Sequence, residues 1–412
     1  MPEPTVARRP GVLVSVLAAA TLGMLASTIY VPSIPAIVHG LGTTAARVQL
    51  TFVGYLLAFA IGMLALGPLS DRYGRRRTMI FGMALSTLAS LACAASPTIG
   101  FLIAARIAQG IGACAGMVVG RATIRDLYGR DGAAQVIAAL AIAATLVQSF
   151  APIPGGYLQA WIGWRANFAA VALYAAAATT LAILYVPETH TIAAAARQMA
   201  AKIAGNMLAT YRQLAGTRRF MAYALAATGA HAGFHIFTAG APSVLIGGFG
   251  ISPEAYGFYA ALPPIGFLAG SFLSNRLTRR LGIDSLIVIG SIVLVPAGAV
   301  MVALALLHVA GPYTVVGPMV LICCASGLIT PNAVAGSLGV SSANIGAASG
   351  LASFLQMTGA AAATAALALG PARSPLVLAV VTAAAGLFAA SAFGSLIEPA
   401  PRPGKADIGA PV

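Results

Sequence analysis

Few residues in this 412-residue chain can exchange a proton at neutral pH. His231 and His235 stand four apart in an apolar run, so on a helix both imidazoles share one face. Histidine titrates near neutrality, and such a pair can carry a proton or hold a polar ligand. Hydrogen-bonded packing of the two rings is the simpler alternative, and no acid or thiol lies nearby in sequence to complete a metal shell. Arg106 lies seven residues into another apolar run. A guanidinium in hydrocarbon is costly unless it faces a cavity or finds partners. Its alternative is snorkelling to an interface, because seven residues rise only about 10 Å along a helix. Asp126, flanked by Arg121 and Arg125, has a choice between titrating and sitting in an ion pair. None of the nine acids (Glu3, Asp71, Asp126, Asp131, Glu188, Glu254, Asp284, Glu398, Asp407) falls in the middle of an apolar run. A buried carboxylate is the usual attraction for cations, so its absence favours neutral, zwitterionic or weakly anionic ligands.

The elements that must position these groups are membrane helices. Apolar residues make up 59% of the chain and charged residues 8%, with a mean hydropathy of +0.91. A water-soluble domain carries about 25% charged residues. Between Asp284 and Arg373 lie 88 residues without Asp, Glu, Lys or Arg. About 20 apolar residues cross a bilayer core, so that stretch holds several crossings. The runs are continuous rather than alternating, which selects helices over a barrel. Twelve spans are expected: 11–37, 49–70, 78–95, 99–121, 133–160, 166–186, 219–245, 254–275, 285–308, 312–334, 344–369 and 374–395. The basic start (Arg8, Arg9) followed by a long apolar run reads as an uncleaved first helix rather than a removed signal. Cys93, Cys114, Cys323 and Cys324 all lie in apolar runs and are read as packing residues, without a disulfide.

An even number of spans puts both termini on one side. With that side cytoplasmic, 19 of the 23 Lys and Arg fall in inner segments. Only Arg47, Arg165 and Arg373 fall in outer loops, a strong orientation signal. The net charge of +14 is therefore topological, and a nucleic-acid partner is not expected. Residues 187–218 form the longest polar segment and divide the chain into a six-helix bundle at 1–186 and another at 219–396, with a tail at 397–412. The divider could form an amphipathic helix on the inner surface. Each half carries a basic loop between its second and third spans, Gly67-Pro-Leu-Ser-Asp-Arg-Tyr-Gly-Arg-Arg-Arg77 and Gly270-Ser-Phe-Leu-Ser-Asn-Arg-Leu-Thr-Arg-Arg-Leu-Gly282. This weak internal repeat predicts two pseudo-symmetric bundles, with a site between them near the bilayer midplane. Polar or aromatic residues expected to line that site are Tyr30, Gln49, Tyr55, Gln148, His231, His235, Asn332 and Gln356. Gly112, Gly116 and Gly120 form a stripe for close helix packing.

Gly67 to Arg77 resembles the loop 2–3 signature of the major facilitator superfamily. Other segments resemble its Bcr/CflA-type drug–proton antiporters. They are Tyr30-Val-Pro-Ser-Ile-Pro35, Val48-Gln49, Arg106 with Gln109-Gly110, Arg125-Asp-Leu-Tyr128, Ala151-Pro-Ile-Pro-Gly-Gly156 with Trp164-Arg165, Pro331-Asn332 and Gly346-Ala-Ala-Ser349. The resemblance implies alternating access in a multi-pass protein of the bacterial inner membrane, exporting small molecules while protons enter. It implies a latch at Gly67, Asp71, Arg72, Gly74 and Arg75, where Asp71 accepts bonds from a helix N-terminus or nearby arginines. The alternative for the arginines is topology and contact with anionic lipid. It also implies proton coupling at Arg106, with Asp126, His231 and His235 as further candidates. Pro152, Pro154, Gly155 and Gly156 are expected to kink the fifth span, with Ala151 replacing the signature's first Gly. Where relatives often read Asp-Met-Tyr in the first span, this chain has Thr28-Ile29-Tyr30.

The expected activity is thus secondary transport of a small molecule, as drug efflux or as dedicated export of a metabolite such as a siderophore or an amino acid derivative. Import and a non-transport sensor are weaker readings. A Gly-rich loop ending in Gly-Lys-Ser/Thr is absent from the sequence, which excludes an ATP-driven pump in cis. Neither an enzyme nor a cofactor or metal is expected, and the partners expected are a small-molecule substrate, protons and lipid around a monomer.

Overall fold

The computed structural model describes residues 10–189, 209–309, 311–340 and 345–397. Apolar helices dominate it: α1 (Pro10–Thr28), α2 (Ile34–Gly40), α3 (Ala45–Tyr73), α4 (Arg75–Ala94), α5 (Ile99–Phe150), α6 (Pro152–Trp161) and α7 (Trp164–Tyr185). The later ones are α8 (Arg218–Leu245), α9 (Pro253–Leu281), α10 (Ile283–Leu306), α11 (Pro312–Gly339), α12 (Ile345–Ala366) and α13 (Pro375–Leu396). Most of the expected divider, the tail and the first nine residues lie outside the described residues, and the described part of the divider is helical over 209–216.

Local chemistry explains where the helices depart from the expected spans. The first is interrupted after Thr28 by a 3-10 turn at Val31–Ser33, because Pro32 and Pro35 cannot donate the bonds that an unbroken helix needs. Spans four and five run on as α5, which bends at Gly129, where φ is 66°. Pro152 then starts α6, so the fifth crossing is built from the end of α5 and α6. Gly74 separates α3 from α4 at φ 97°, a backbone angle that suits glycine.

Among the described residues, eleven helices are long and apolar enough to cross a membrane, against twelve expected. The difference is α8. It is 28 residues long, yet 22 of them are buried against protein. A helix packed on most sides has no need of a lipid-like composition.

The helices fall into two bundles with matching internal packing. In the first, α5 packs on α1, α3 and α4, while α7 packs on α1 and α4. In the second, α11 packs on α8, α9 and α10, while α13 packs on α8 and α10. Each contact in one bundle thus has its counterpart in the other. Between the bundles, α3 lies along α12 and α6 lies along α9. The glycine stripe serves packing as expected. Gly116 faces the backbone carbonyl of Ala19 on α1, and Gly112 faces Gly82 and Ser86 on α4.

Candidate functional site

Arg106 is fully buried, at 0% exposure, inside the first bundle. Its guanidinium stacks between two rings, 4.2 Å from the centroid of Tyr55 and 4.4 Å from that of Tyr30, with Phe168 at 5.9 Å. One terminal nitrogen donates to the Ala26 carbonyl at 2.9 Å and to Gln109 Oε1 at 2.5 Å. Gln109 passes the network on by donating to Ser90 Oγ at 2.7 Å. The two tyrosines are themselves fixed: Tyr55 donates to the Gly23 carbonyl at 2.7 Å, and Tyr30 shares a 3.2 Å bond with Thr51. The charge is thus held by π-faces and acceptor dipoles, not by a carboxylate. Snorkelling is excluded by this burial. Tyr30 and Tyr55, expected in a cavity between bundles, instead wall in Arg106. Nε and the second terminal nitrogen of Arg106 have no hydrogen-bond partner among the described residues.

A small cavity lies between the bundles. Thr28, Val31, Gln148 and Pro152 line it from the first, and Phe234, Phe237, Thr238, Tyr256 and Ala260 from the second. No charged side chain lines it. Tyr256 is fully buried, and its hydroxyl has no partner among the described residues. Gln148 is the one expected cavity residue found in this lining. Thr28, Thr238 and Tyr256 were missed, although a signal existed for one of them: Thr238 continues the face of His231 and His235 at seven-residue spacing. One side of the cavity is shut tightly. Gly155 faces the Ile29 carbonyl of its own bundle, and Gly156 faces the Pro253 carbonyl of the other, with no room for a β-carbon at either. The proline- and glycine-rich segment of the fifth span is therefore a seam between bundles as well as a break between α5 and α6.

His231 and His235 do bond, with Nε2 atoms 3.0 Å apart. His235 is buried at 2% exposure and touches Phe52 of α3, ring centroids 5.9 Å apart, while its Nδ1 has no partner among the described residues. Gln49 is buried on α3 with Oε1 unpartnered among the described residues, and Gln356 is buried on α12. Asn332 does not face the cavity. Its amide donates to Ser274 Oγ and the Leu328 carbonyl, both at 2.7 Å, and accepts from Thr278 at 3.2 Å, bracing α11 against α9.

The basic loop forms a separate cluster at one end of the first bundle. Arg75 reaches Asp71 at 2.5 Å, Asp126 at 3.1 Å and Ser70 Oγ at 2.5 Å. Its backbone N–H donates to Glu188 at 2.8 Å, and Thr189 donates to Asp126 at 3.0 Å. Asp71 therefore takes an arginine partner, one of its two expected kinds. Asp126 sits in an ion pair in this arrangement. Arg72 stacks on Tyr73 at 5.3 Å, and nothing lies within 4 Å of a β-carbon placed on Gly67.

Two bundles of helices with a seam and a cavity between them have the architecture of a membrane transporter. The sequence profile of the Major Facilitator Superfamily matches residues 16–364, and the chain belongs to that family as a multi-pass membrane protein. It is 31% identical over 291 residues to an uncharacterized MFS-type transporter of Bacillus subtilis, covering 70% of this chain and 71% of that one. It is 32% identical over 286 residues to a chloramphenicol resistance protein of Pseudomonas aeruginosa, covering 69% and 65%. Multidrug resistance protein D of Escherichia coli is 30% identical over 274 residues, covering 66% and 67%. A bicyclomycin resistance protein homolog of Haemophilus influenzae is 27% identical over 273 residues, covering 65% and 68%, and with these relatives the chain resembles the Bcr/CflA-type members of the family. Among solved structures, a D-xylose–proton symporter superposes with a TM-score of 0.74 at 14% identity, over 92% of this chain and 96% of that one, which shows the fold.

Proposed function

We propose that the chain exports small uncharged or zwitterionic compounds from the cytoplasm in exchange for protons, by alternating access of the cavity between its two bundles. The cavity lining carries the reading. It combines aromatic and aliphatic walls with the hydroxyls of Thr28, Thr238 and Tyr256 and the amide of Gln148, and it has no charge. A site of this kind binds by apolar burial and orients its ligand by a few hydrogen bonds. α8 is the seventh of twelve crossings, both termini are cytoplasmic, and the basic cluster around Arg75 faces the inside of an inner membrane. The Gly155 and Gly156 seam then closes the outer side in this state. The chain acts as a monomer, since one copy supplies both bundles.

The relatives' names support drug-like cargo, while the absence of a mid-membrane acid favours neutral compounds over cations. The same absence suits a dedicated exporter of a metabolite such as a siderophore or an amino acid derivative. Deletion and overexpression strains, compared for secreted metabolites and for sensitivity to a panel with chloramphenicol, bicyclomycin and lipophilic cations, separate these readings. Protection against neutral members alone is expected. Protection confined to the cations, or accumulation of the panel inside the cell on overexpression, overturns the proposal.

A further inference from the structure

The chain lacks a mid-membrane carboxylate, so proton exchange at the proposed site, on which this inference rests, requires a different acceptor. His231 and His235 are placed for it. Their Nε2 atoms, 3.0 Å apart, share one hydrogen bond, so one nitrogen carries the hydrogen and the other accepts it. The rings meet edge to face with centroids 4.7 Å apart. His235 packs on Phe52 of α3, across the boundary between bundles, and on Phe234, which lines the cavity. Its Nδ1, buried with the ring, has no partner among the described residues. The pair therefore joins three features: a vacant proton position, a contact spanning both bundles, and the wall of the cavity.

We propose that the His231–His235 pair is the proton-binding site, taking up one proton at the unpartnered Nδ1 of His235. The Nε2–H of His235 stays bonded to Nε2 of His231, so the pair shares one positive charge. That charge is costly against the apolar rings of Phe52 and Phe234, so His235 turns toward water and leaves Phe52, which loosens α3 from α8. Loss of the same proton to the other side restores the neutral pair and its contact. One proton in and one proton out balance each cycle.

The surroundings leave the pair as the one group here able to do this. Of the elements packed on α8, neither α12 nor α13 carries a titratable side chain, and α11 carries Tyr313, Cys323 and Cys324. α9 brings Glu254, Tyr256 and Tyr259 in its first turns and Arg276, Arg279 and Arg280 at its far end. α2 brings the exposed His39, and on α3 the tyrosine nearest Phe52, Tyr55, is bonded to Gly23. On α8 itself, Arg218 and Arg219 stand at the first turn, and Tyr223 donates to Asp284.

Proteoliposomes with labelled chloramphenicol as the neutral probe test the proposal. The double variant His231→Gln, His235→Gln is expected to keep counterflow of the probe and to lose accumulation driven by a pH gradient. Gradient-driven accumulation equal to that of the unaltered protein overturns it. Failure of the unaltered protein to move the probe under any condition would count against this cargo and leave the pair to a second measurement. That measurement is ring-nitrogen NMR of the histidine-labelled, unaltered chain in nanodiscs. At high pH one ring is expected as the Nδ1–H and the other as the Nε2–H tautomer, with an added proton entering the pair as the pH is lowered. Two identical tautomers, or a pair that stays neutral throughout, also overturns it.

Discussion

The guanidinium carbon of Arg106 stands 4.2 Å from the ring centroid of Tyr55, and the hydroxyl of that tyrosine is bonded to the Gly23 carbonyl. Arginine, tyrosine and backbone thus form one chain of contacts linking α5, α3 and α1. Removing the guanidinium leaves the Ala26 carbonyl and Gln109 Oε1 without their donor in a buried site. We expect Arg106→Ala to lower stability by on the order of 3 kcal/mol and to abolish export while the protein still inserts. Arg106→Lys keeps the charge but not the flat, forked donor, so it is expected to fail as well. Efflux assays beside a thermal-shift series check both. Normal efflux from either variant would remove Arg106 from coupling.

The depth of that site explains what the sequence could reveal. A single Arg in an apolar run declares itself, as do the spacing of His231 and His235 and the glycine stripe, because each breaks a local rule. The partners of Arg106 did not, since Tyr30, Tyr55 and Phe168 are ordinary residues in their own spans, brought together only by bundle packing. For the same reason Tyr30, Tyr55 and Asn332 were expected in the cavity: polarity in a membrane helix says inward, not toward which interior. The two-bundle architecture was legible because charge and hydropathy encode it along the whole chain. α8 carries the faintest signal of a span by composition because it is packed against α11, α12 and α13.

Gly156 lies under the Pro253 carbonyl, where a methyl group has no space. Gly156→Ala should therefore strain only the state in which α6 and α9 are closed, leaving each bundle intact. Overpacking of this kind costs about 1–3 kcal/mol. Spent on a single conformer, it shifts the population away from the closed seam by roughly 5- to 150-fold. Labelling of a cysteine placed in the cavity, from each side of the membrane, reads the shift. An unchanged labelling ratio would mean that the seam is not a gate.

Asp71 and Asp126 both hold Arg75, but their side chains remain 44% and 26% exposed. Solvent screening limits such pairs to about 1 kcal/mol or less. Asp71→Asn and Asp126→Asn are thus expected to leave stability nearly unchanged and to slow exchange without altering which compounds are moved. Rates of counterflow and a sensitivity panel separate the two effects. A changed compound profile would contradict a role confined to conformational exchange.

Tyr256 and Asn332 are both buried polar residues of the second bundle, and opposite outcomes are expected from removing their polar groups. Asn332 makes two hydrogen bonds that brace α11 against α9 and one within α11, so Asn332→Ala strands the Ser274 hydroxyl and should destabilise by about 1–3 kcal/mol with an unaltered compound profile. Tyr256 lines the cavity and its hydroxyl has no partner among the described residues, so Tyr256→Phe relieves an unpaired buried donor and should leave the melting temperature the same or higher. Its cost falls instead on cargo that needs that hydroxyl, seen as a raised half-saturation concentration for chloramphenicol and other hydrogen-bonding compounds, while purely apolar ones are unaffected. A loss of stability in Tyr256→Phe with no change in transport would reverse the assignment and make this tyrosine, like Asn332, a brace.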